Sequence, residues 1–155
     1  MAPESAPGAP MELSPGQPPR QSPGQAPTQA DAELAAAIRQ ARPAGEALLV
    51  AAAQALERLG LADQVRVPPW AQARFSQRND PASGLPCLRA DFCAVGTQHA
   101  GQLLFHGDGS HYGEFDICQP HPQRLGWWIE AVEVWGKAAT VKSELRLLAM
   151  PGVDP

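Results

Sequence analysis

The first part of the chain carries apolar residues at helical spacing. A first helix over residues 31–40 begins with Asp31 as a cap. It places Leu34, Ala37 and Ile38 on one apolar stripe, which Ala41 continues. Pro43 is expected to break this helix and to open a second one, whose apolar face holds Leu48, Leu49, Ala52, Leu56 and Leu59. Gly60 supplies the stop. The pattern predicts a helical hairpin or a bent helix that covers one side of a core.

The period changes to two further along the chain. Residues 64–67 fit a short strand and 70–78 fit helical turns, and the turn formers of 79–86 indicate a loop. After that loop, apolar residues alternate with others at Leu88, Ala90, Phe92 and Ala94, which predicts a strand. Residues 103–106 and 111–118 predict a hairpin with Asp108-Gly109 as a tight two-residue turn, because both residues tolerate positive φ. His106 would then lie directly opposite His111.

The segment from Pro122 to Gly136 fits a third helix, with one broad apolar face formed by Leu125, Trp128, Ile129, Val132 and Trp135. Residues 140–148 alternate and predict a last strand, although Val141, Leu145 and Leu148 also fit a helix. Together these elements indicate an α+β fold in which an antiparallel meander is packed by the Trp-rich helix and the N-terminal helices.

Composition sets the domain boundaries. The chain has 155 residues, 44% of them hydrophobic, which is room for one domain with a core. Residues 1–30 are rich in proline, glycine and alanine and hold few large apolar residues, so they cannot bury enough surface to offset the entropy of ordering. We therefore expect a disordered tail over 1–30, one domain over 31–150, and a short disordered C-terminus over 151–155.

Charge and sequence signals narrow the class of protein. A net charge of -4 disfavours general affinity for nucleic acid. No basic start precedes an apolar run, and no long apolar stretch occurs, which predicts a soluble cytoplasmic protein that does not bind membranes. The odd number of cysteines, 3, is typical of reduced thiols.

Candidate metal ligands concentrate in the predicted hairpin and just after it. Every cysteine and histidine lies between Cys87 and His121, and zinc or another divalent cation could be held by a set drawn from His106, His111, Glu114, Asp116, Cys118 and His121. Such a site would suit a metal-dependent hydrolase or nuclease. Paired short spacings typical of structural zinc are absent, so the alternative is that cysteines fill the core, histidines lie on the surface, and residues 106–110 are turn chemistry. No catalytic motif is found, and no catalytic residue is assigned.

A second set mixes arginines with aromatic residues and contains no acid. It could bind single-stranded nucleic acid by stacking and phosphate contact through Arg66, Trp70, Arg74, Phe75 and Arg78. The alternative is that both aromatic residues are packing anchors and that the arginines form a thin patch on an acidic domain.

The interaction hypothesis depends on the predicted Trp-rich helix. Trp127 and Val134 fall near its polar side, and exposed tryptophan is a frequent interface anchor. With His106 and His111 of the adjacent hairpin, they are the residues expected to contact a partner. The sequence thus favours a small non-enzymatic accessory or adaptor protein that binds another macromolecule, most naturally a protein. The identity of the partner and the oligomeric state are open.

Overall fold

A computed structural model describes residues 28–138 and 140–151 of the chain. A helix, α1 (Gln29–Leu59), and a short 3-10 turn (Trp70–Gln72) precede six strands, which are β1 (Arg74–Asn79), β2 (Pro86–Phe92), β3 (Gly101–His106), β4 (Ser110–Pro120), β5 (Trp127–Lys137) and β6 (Thr140–Ala149). Each strand pairs antiparallel with the next, in the order β1-β2-β3-β4-β5-β6. The predicted α+β fold is confirmed, as are the predicted meander and the last strand.

The N-terminal part forms one helix rather than two. The side chain of Thr28 accepts a hydrogen bond from the backbone N–H of Asp31, and the Asp31 carboxylate accepts one from the N–H of Thr28, which is a capping box. Pro43 lies inside α1, so the expected break there is wrong. The alanine-rich flanks and the packing of the following turns outweigh the single hydrogen bond that proline removes. Gly60 caps the helix with a φ of 77°, as predicted.

The predicted Trp-rich helix is a strand. Residues 127–137 form β5, which pairs with β4 on one side and β6 on the other. A β-bulge between Ile129 and Ala131 inserts an extra residue, so the buried Ile129 and Val132 are three positions apart. A spacing of three is also typical of the apolar face of a helix, which explains the wrong prediction. The many aromatic and β-branched side chains of this segment favour a strand. The sheet is therefore covered by α1 alone among the described helices.

Two smaller expectations are also corrected. Residues 64–67 form no strand, and Arg66 makes only an isolated bridge to Gln98. Residues 74–79 are strand β1 instead of helical turns. Residues 1–27 and 152–155 lie outside the described part, so the predicted disordered ends remain predictions. Within the tail predicted over 1–30, Gln29 and Ala30 belong to α1.

The loop between β3 and β4 is one residue longer than expected, because it begins at Gly107 instead of Asp108. The N–H of Gly109 donates to the carbonyl of His106, and Gly107, Asp108 and Gly109 form a three-residue loop. Phe105, not His106, therefore pairs with His111. A shift of one residue moves a side chain to the other face of a sheet, so the two imidazoles point away from each other. The predicted opposition of the two histidines is wrong.

The sheet has an inner face that packs against α1 and an outer face on the other side. The inner face and the helix share one core, which includes Leu48, Leu56, Ala90, Phe92, Leu103, Phe115, Ile117, Ile129, Val132 and Val134. Trp70 closes the core beside Gly45, where a Cβ atom would lie 2.1 Å from the indole ring. None of the helices in the described part of the chain combines the length and the apolar character that a bilayer span requires.

Candidate functional site

The outer face is the surface that the fold leaves open. Along β4, buried inner residues alternate with outer residues that keep contact with solvent, and β5 and β6 follow the same alternation either side of the bulge. No helix or strand of the described residues packs on this side. This arrangement is common, because antiparallel sheets pack one face on the core and present the other to solvent. The outer face is therefore where a partner can reach the sheet.

Glutamates meet across three strands of the outer face. Glu114 of β4 pairs with Glu133 of β5, which pairs in turn with Glu144 of β6. Glu130, at the bulge, lies on the same side, since it bonds to the outer residue Arg146. We call Glu114, Glu130, Glu133 and Glu144 the acidic strip. Like charges directly opposite each other on a sheet are destabilising, so the acidic strip requires compensation.

Arg146 supplies part of that compensation. Its Nη1 lies 3.0 Å from a carboxylate oxygen of Glu114, and its Nε lies 2.8 Å from one of Glu130. Nη1 also contacts the carboxylate of Glu133. The hydrogen bond to Glu114 is the largest cause that raises the pKa of Arg146 above its ordinary value, and those to Glu130 and Glu133 add to it. One cation thus serves three glutamates, while Glu144 has no hydrogen-bond or ion-pair partner in the described part of the chain.

An apolar row borders the acidic strip. Leu104, Tyr112 and Trp135 are neighbours across β3, β4 and β5, and each is half-buried. The Tyr112 hydroxyl donates to the Glu114 carboxylate over 3.2 Å. Burial raises the pKa of Tyr112, and the negative charges of Glu114 and Glu133 raise it further. The aromatic side chains of Tyr112 and Trp135 therefore lie directly beside the carboxylates of Glu114 and Glu133.

A second apolar patch lies at the far end of β5 and β6. Trp128 pairs with Leu148 across the two strands, and Leu148 is 48% exposed. With Met150 and Pro151 they border a shallow groove of about 530 Å³. Tryptophan is a frequent anchor residue in interfaces, and Leu148 adds exposed apolar surface beside Trp128. Along the direction of the strands, the acidic strip therefore has apolar surface on both sides.

The charge of the outer face reverses toward β1 and β2. Arg74 and Arg78 of β1 and Arg89 of β2 lie on this side, next to two acids, Asp80 and Asp91, of which Asp91 accepts from Arg89 at 2.9 Å. Over β4, β5 and β6 the outer face carries Glu114, Asp116, Glu130, Glu133 and Glu144 against Lys137, Lys142 and Arg146. The surface is negative at one end and positive at the other.

His106 belongs to a small cluster at the end of β3. Its Nδ1 lies 3.6 Å from an Asp80 oxygen and 3.9 Å from the Cys87 sulfur. Burial raises the pKa of the Cys87 thiol, and the negative charge of Asp80 raises it further. A thiol that stays protonated is a poor nucleophile, so the cluster does not have the character of a cysteine active site.

The predicted metal ligands are not brought together. His106 lies on the outer face, His111 is buried on the inner face, and Glu114 is bound by Arg146 and Tyr112. Asp116 is exposed on β4, and Cys118, with a φ of 52°, lies at a second irregularity, where the β4–β5 register shifts between Asp116 and Gln119. His121 accepts a hydrogen bond from the N–H of Gln123. Within residues 28–138 and 140–151, no group of three or more such side chains is arranged to hold a metal ion.

The alternative interpretation, with the cysteines in the core and the histidines on the surface, is also only partly right. Cys93 and Cys118 are exposed instead of buried in the core, and His111 is buried instead of on the surface. All three cysteines are free thiols. Turn chemistry does explain residues 106–110, because the Asp108 carboxylate accepts from both the N–H and the hydroxyl of Ser110, which lowers its pKa.

The residues predicted to contact a partner also lie on different faces of the sheet, and two of them are buried. Val134 is 0% exposed on the inner face, so it is not available to a partner. Trp127 is half-buried at the end of β5, where the Arg124 guanidinium lies 4.8 Å from its ring centre. His111 is buried, and His106 alone of the hairpin pair lies on the outer face.

The arginine–aromatic set is separated by the fold. Trp70 is buried against Phe75, with ring centres 4.9 Å apart, so its ring is a packing anchor. Arg74 and Arg78 reach the outer face from β1, while exposed Arg66 lies in the segment before the 3-10 turn. The stacking surface that single-stranded nucleic acid requires is not assembled.

Sequence reasoning missed the residues of the outer face. The alternation of Lys142, Glu144 and Arg146 along the last strand was a usable signal, because it places all three on one face. The pattern could not place Glu133 next to Glu144, because it predicts a helix for the segment that contains Glu133. No family model matches the chain, and no curated protein or solved structure gives a significant match.

Proposed function

We propose that this protein is a small non-enzymatic accessory protein that holds a basic segment of another protein on the outer face of β4, β5 and β6. The observation that carries the proposal is the acidic strip. Three glutamates stand in line across neighbouring strands, and only part of their charge is balanced by Arg146. A fold that needed nothing from this surface would gain stability by replacing one of them.

The chemistry of the surface defines the partner. Lysine or arginine side chains complement the acidic strip, and apolar side chains complement Trp135 at one end and the Trp128–Leu148 patch at the other. The segment that fits is therefore basic with apolar residues at its ends. The chain's own residues 1–27 fit less well, because they contain one arginine and two glutamates.

A second copy of the chain is the other occupant with matching charge. Docked face to face, the positive end at β1 and β2 of one copy would meet the acidic strip of the other. We favour a separate partner because the outer-face aromatic residues Tyr112, Trp128 and Trp135 all lie beside the acidic strip, so two copies would match charge without matching aromatic surface. Self-association of the protein through Glu144 would count against the proposal.

The test is a charge reversal with a matched control. The full chain is titrated with a short lysine-rich peptide that has a leucine near each end, and Glu144→Lys is compared with Glu57→Lys. Both residues are exposed and both substitutions change the net charge equally, but Glu57 lies on α1. We expect Glu144→Lys to weaken binding about tenfold or more and Glu57→Lys to leave it nearly unchanged.

Two results would overturn the proposal. One is equal loss of affinity in both variants, which would mean that only net charge attracts the peptide. The other is a glutamate-rich version of the peptide that binds as well as the lysine-rich one. Thermal melting of both variants serves as the folding control, since neither side chain has a partner to lose in the described residues.

A further inference from the structure

The sheet is open, and β6 is one of its two edges. The strand order ends at β6, and within the described residues no strand pairs with it on the side away from β5. We call this side the free edge of β6. The strand has 10 residues and no proline, so two usual devices that block an edge, a short strand and a proline, are absent. Its charged side chains therefore select which segment can pair with it.

Every second residue of β6 presents its backbone groups at the free edge. The N–H of Met150 donates to the carbonyl of Gly126, in continuation of the pairing between β5 and β6. Because backbone groups alternate in direction along an antiparallel strand, the even-numbered residues of β6 bond to β5, while Ser143 and Leu145 direct their N–H and C=O groups away from it. No backbone hydrogen bond reaches these two residues at the free edge from the rest of the described chain. A further strand would satisfy them.

The side chains at the free edge fit a segment that alternates basic and apolar residues. On the inner side, Val141, Leu145 and Leu147 pack against the core and are only half-buried. On the outer side, Glu144 has no hydrogen-bond or ion-pair partner among the described residues. A residue directly opposite Glu144 on an added strand would have its Cβ atom about 5 Å away, within reach of a lysine or arginine. The apolar residues on either side of that cation would cover the inner row.

The other edge of the sheet does not fit the same segment. β1 has 6 residues and carries Arg74 and Arg78 on its outer side, where like charges opposite each other are destabilising. β6 carries Lys142 and Arg146, but the glutamates of the acidic strip outnumber these two cations. A basic segment is therefore directed to β6.

We propose that the basic segment of the partner pairs with the free edge of β6 as an additional strand. Its basic side chains continue the outer face beside Glu144, and its apolar side chains continue the inner face beside Leu145. Main-chain hydrogen bonds supply affinity in this mode of recognition, and the alternate side chains supply specificity. The inference rests on the proposed function, since it states how the same segment is held.

Amide hydrogen exchange in the full chain tests the pairing, with a short peptide of alternating lysine and valine as the probe. In the free chain, Ser143 and Leu145 should exchange faster than their neighbours in β6, because only the neighbours bond to β5. Saturating peptide should slow exchange at Ser143 and Leu145 about tenfold or more and leave β1 unchanged.

A proline variant blocks the free edge. Ser143→Pro removes a central N–H of this edge without removing a bond to β5, so it should weaken peptide binding about tenfold and change the melting temperature little. Gln77→Pro is the matched control on β1. The N–H of Asp80 donates to the carbonyl of Leu85, so the alternation along β1 directs the N–H of Gln77 away from β2. This control should bind the peptide as the unchanged chain does.

Methylation of the peptide backbone tests the pairing without changing the protein. Methyl groups on every second nitrogen block one edge of the peptide, and methyl groups on the remaining nitrogens block the other. One set should abolish binding and the other should preserve it, because only one edge of an added strand faces β6.

Two results would overturn this inference. One is an equal effect of the two methylated sets; if Glu144→Lys still weakens binding, the proposed function stands, and the segment lies across the outer face instead. The other is slow exchange at Ser143 and Leu145 in the free chain, because the edge would then already be occupied by a second copy or by residues outside the described part.

Discussion

The two faces of one sheet differ in almost every physical property. On the inner face the side chains of Leu103, Phe115 and Val132 are nearly or fully buried against α1. On the outer face their immediate neighbours in sequence, Leu104, Glu114 and Glu133, keep contact with solvent, and the two glutamates are charged. The comparison teaches that one side of each strand holds the fold together, while the other is free to be shaped by what it binds.

The two histidines of the hairpin show the same difference between the faces. His106 faces Asp80 on the outer side, and His111 lies among Phe105 and Gly136 on the inner side. A loop of three residues instead of two is enough to separate them. Their roles follow from the face on which each lies, and not from their nearness in sequence.

Leu103 and Leu104 provide the sharpest contrast in stability. Leu103→Ala removes a side chain that is 0% exposed and leaves a cavity, so we expect the free energy of unfolding to fall by about 3 kcal/mol. Leu104→Ala removes a half-buried side chain on the outer face and should cost about 1 kcal/mol. Chemical denaturation of the two variants measures the difference. Equal losses would mean that the outer face is also covered.

Removing Arg146 should have a smaller effect on stability. Arg146→Met leaves Glu114 and Glu133 directly opposite each other without their cation, and we expect a loss of about 1 kcal/mol, because the group is partly exposed and solvent screens the interaction. Adding Glu133→Gln should restore part of it by relieving the repulsion. Glu144→Gln, the matched control, should be neutral or slightly stabilising. A larger loss with Glu144→Gln than with Arg146→Met would contradict the assignment of charges.

Titration of Tyr112 gives the finest test of the acidic strip. The chain has 1 tyrosine, so the increase in ultraviolet absorbance that accompanies tyrosinate formation reports this phenol alone. Its pKa should lie above the ordinary value of about 10. The raised pKa favours the neutral phenol in the folded state, so stability is unaffected below about pH 10 and declines as the pH rises through the folded pKa. Glu133→Gln should lower the midpoint, and an unchanged midpoint would mean that Glu133 does not act on the phenol.

Much of the architecture follows from local patterns in the sequence. The period of two marks β2, β3, β4 and β6, Asp108-Gly109 marks the position of the hairpin, and Gly60 marks the end of α1. These features depend on residues near in sequence, which is why they could be predicted.

The rest depends on interruptions that a regular period hides. The bulge at Ile129 gives the sequence of β5 the spacing of a helix. Gly107 lengthens the hairpin loop by one residue, so His106 and His111 lie on opposite faces of the sheet. The acidic strip combines residues from three strands, so it emerges only when strand order and register are known.

The measurement that tests the division of faces most directly is a map of amide chemical shifts in the full chain during titration with the lysine-rich peptide. The account predicts that the largest changes fall on the outer-face positions of β4, β5 and β6, centred on Glu133 and Glu144, while the second half of α1 changes little. Changes centred on α1, or spread evenly over the described residues, would contradict it.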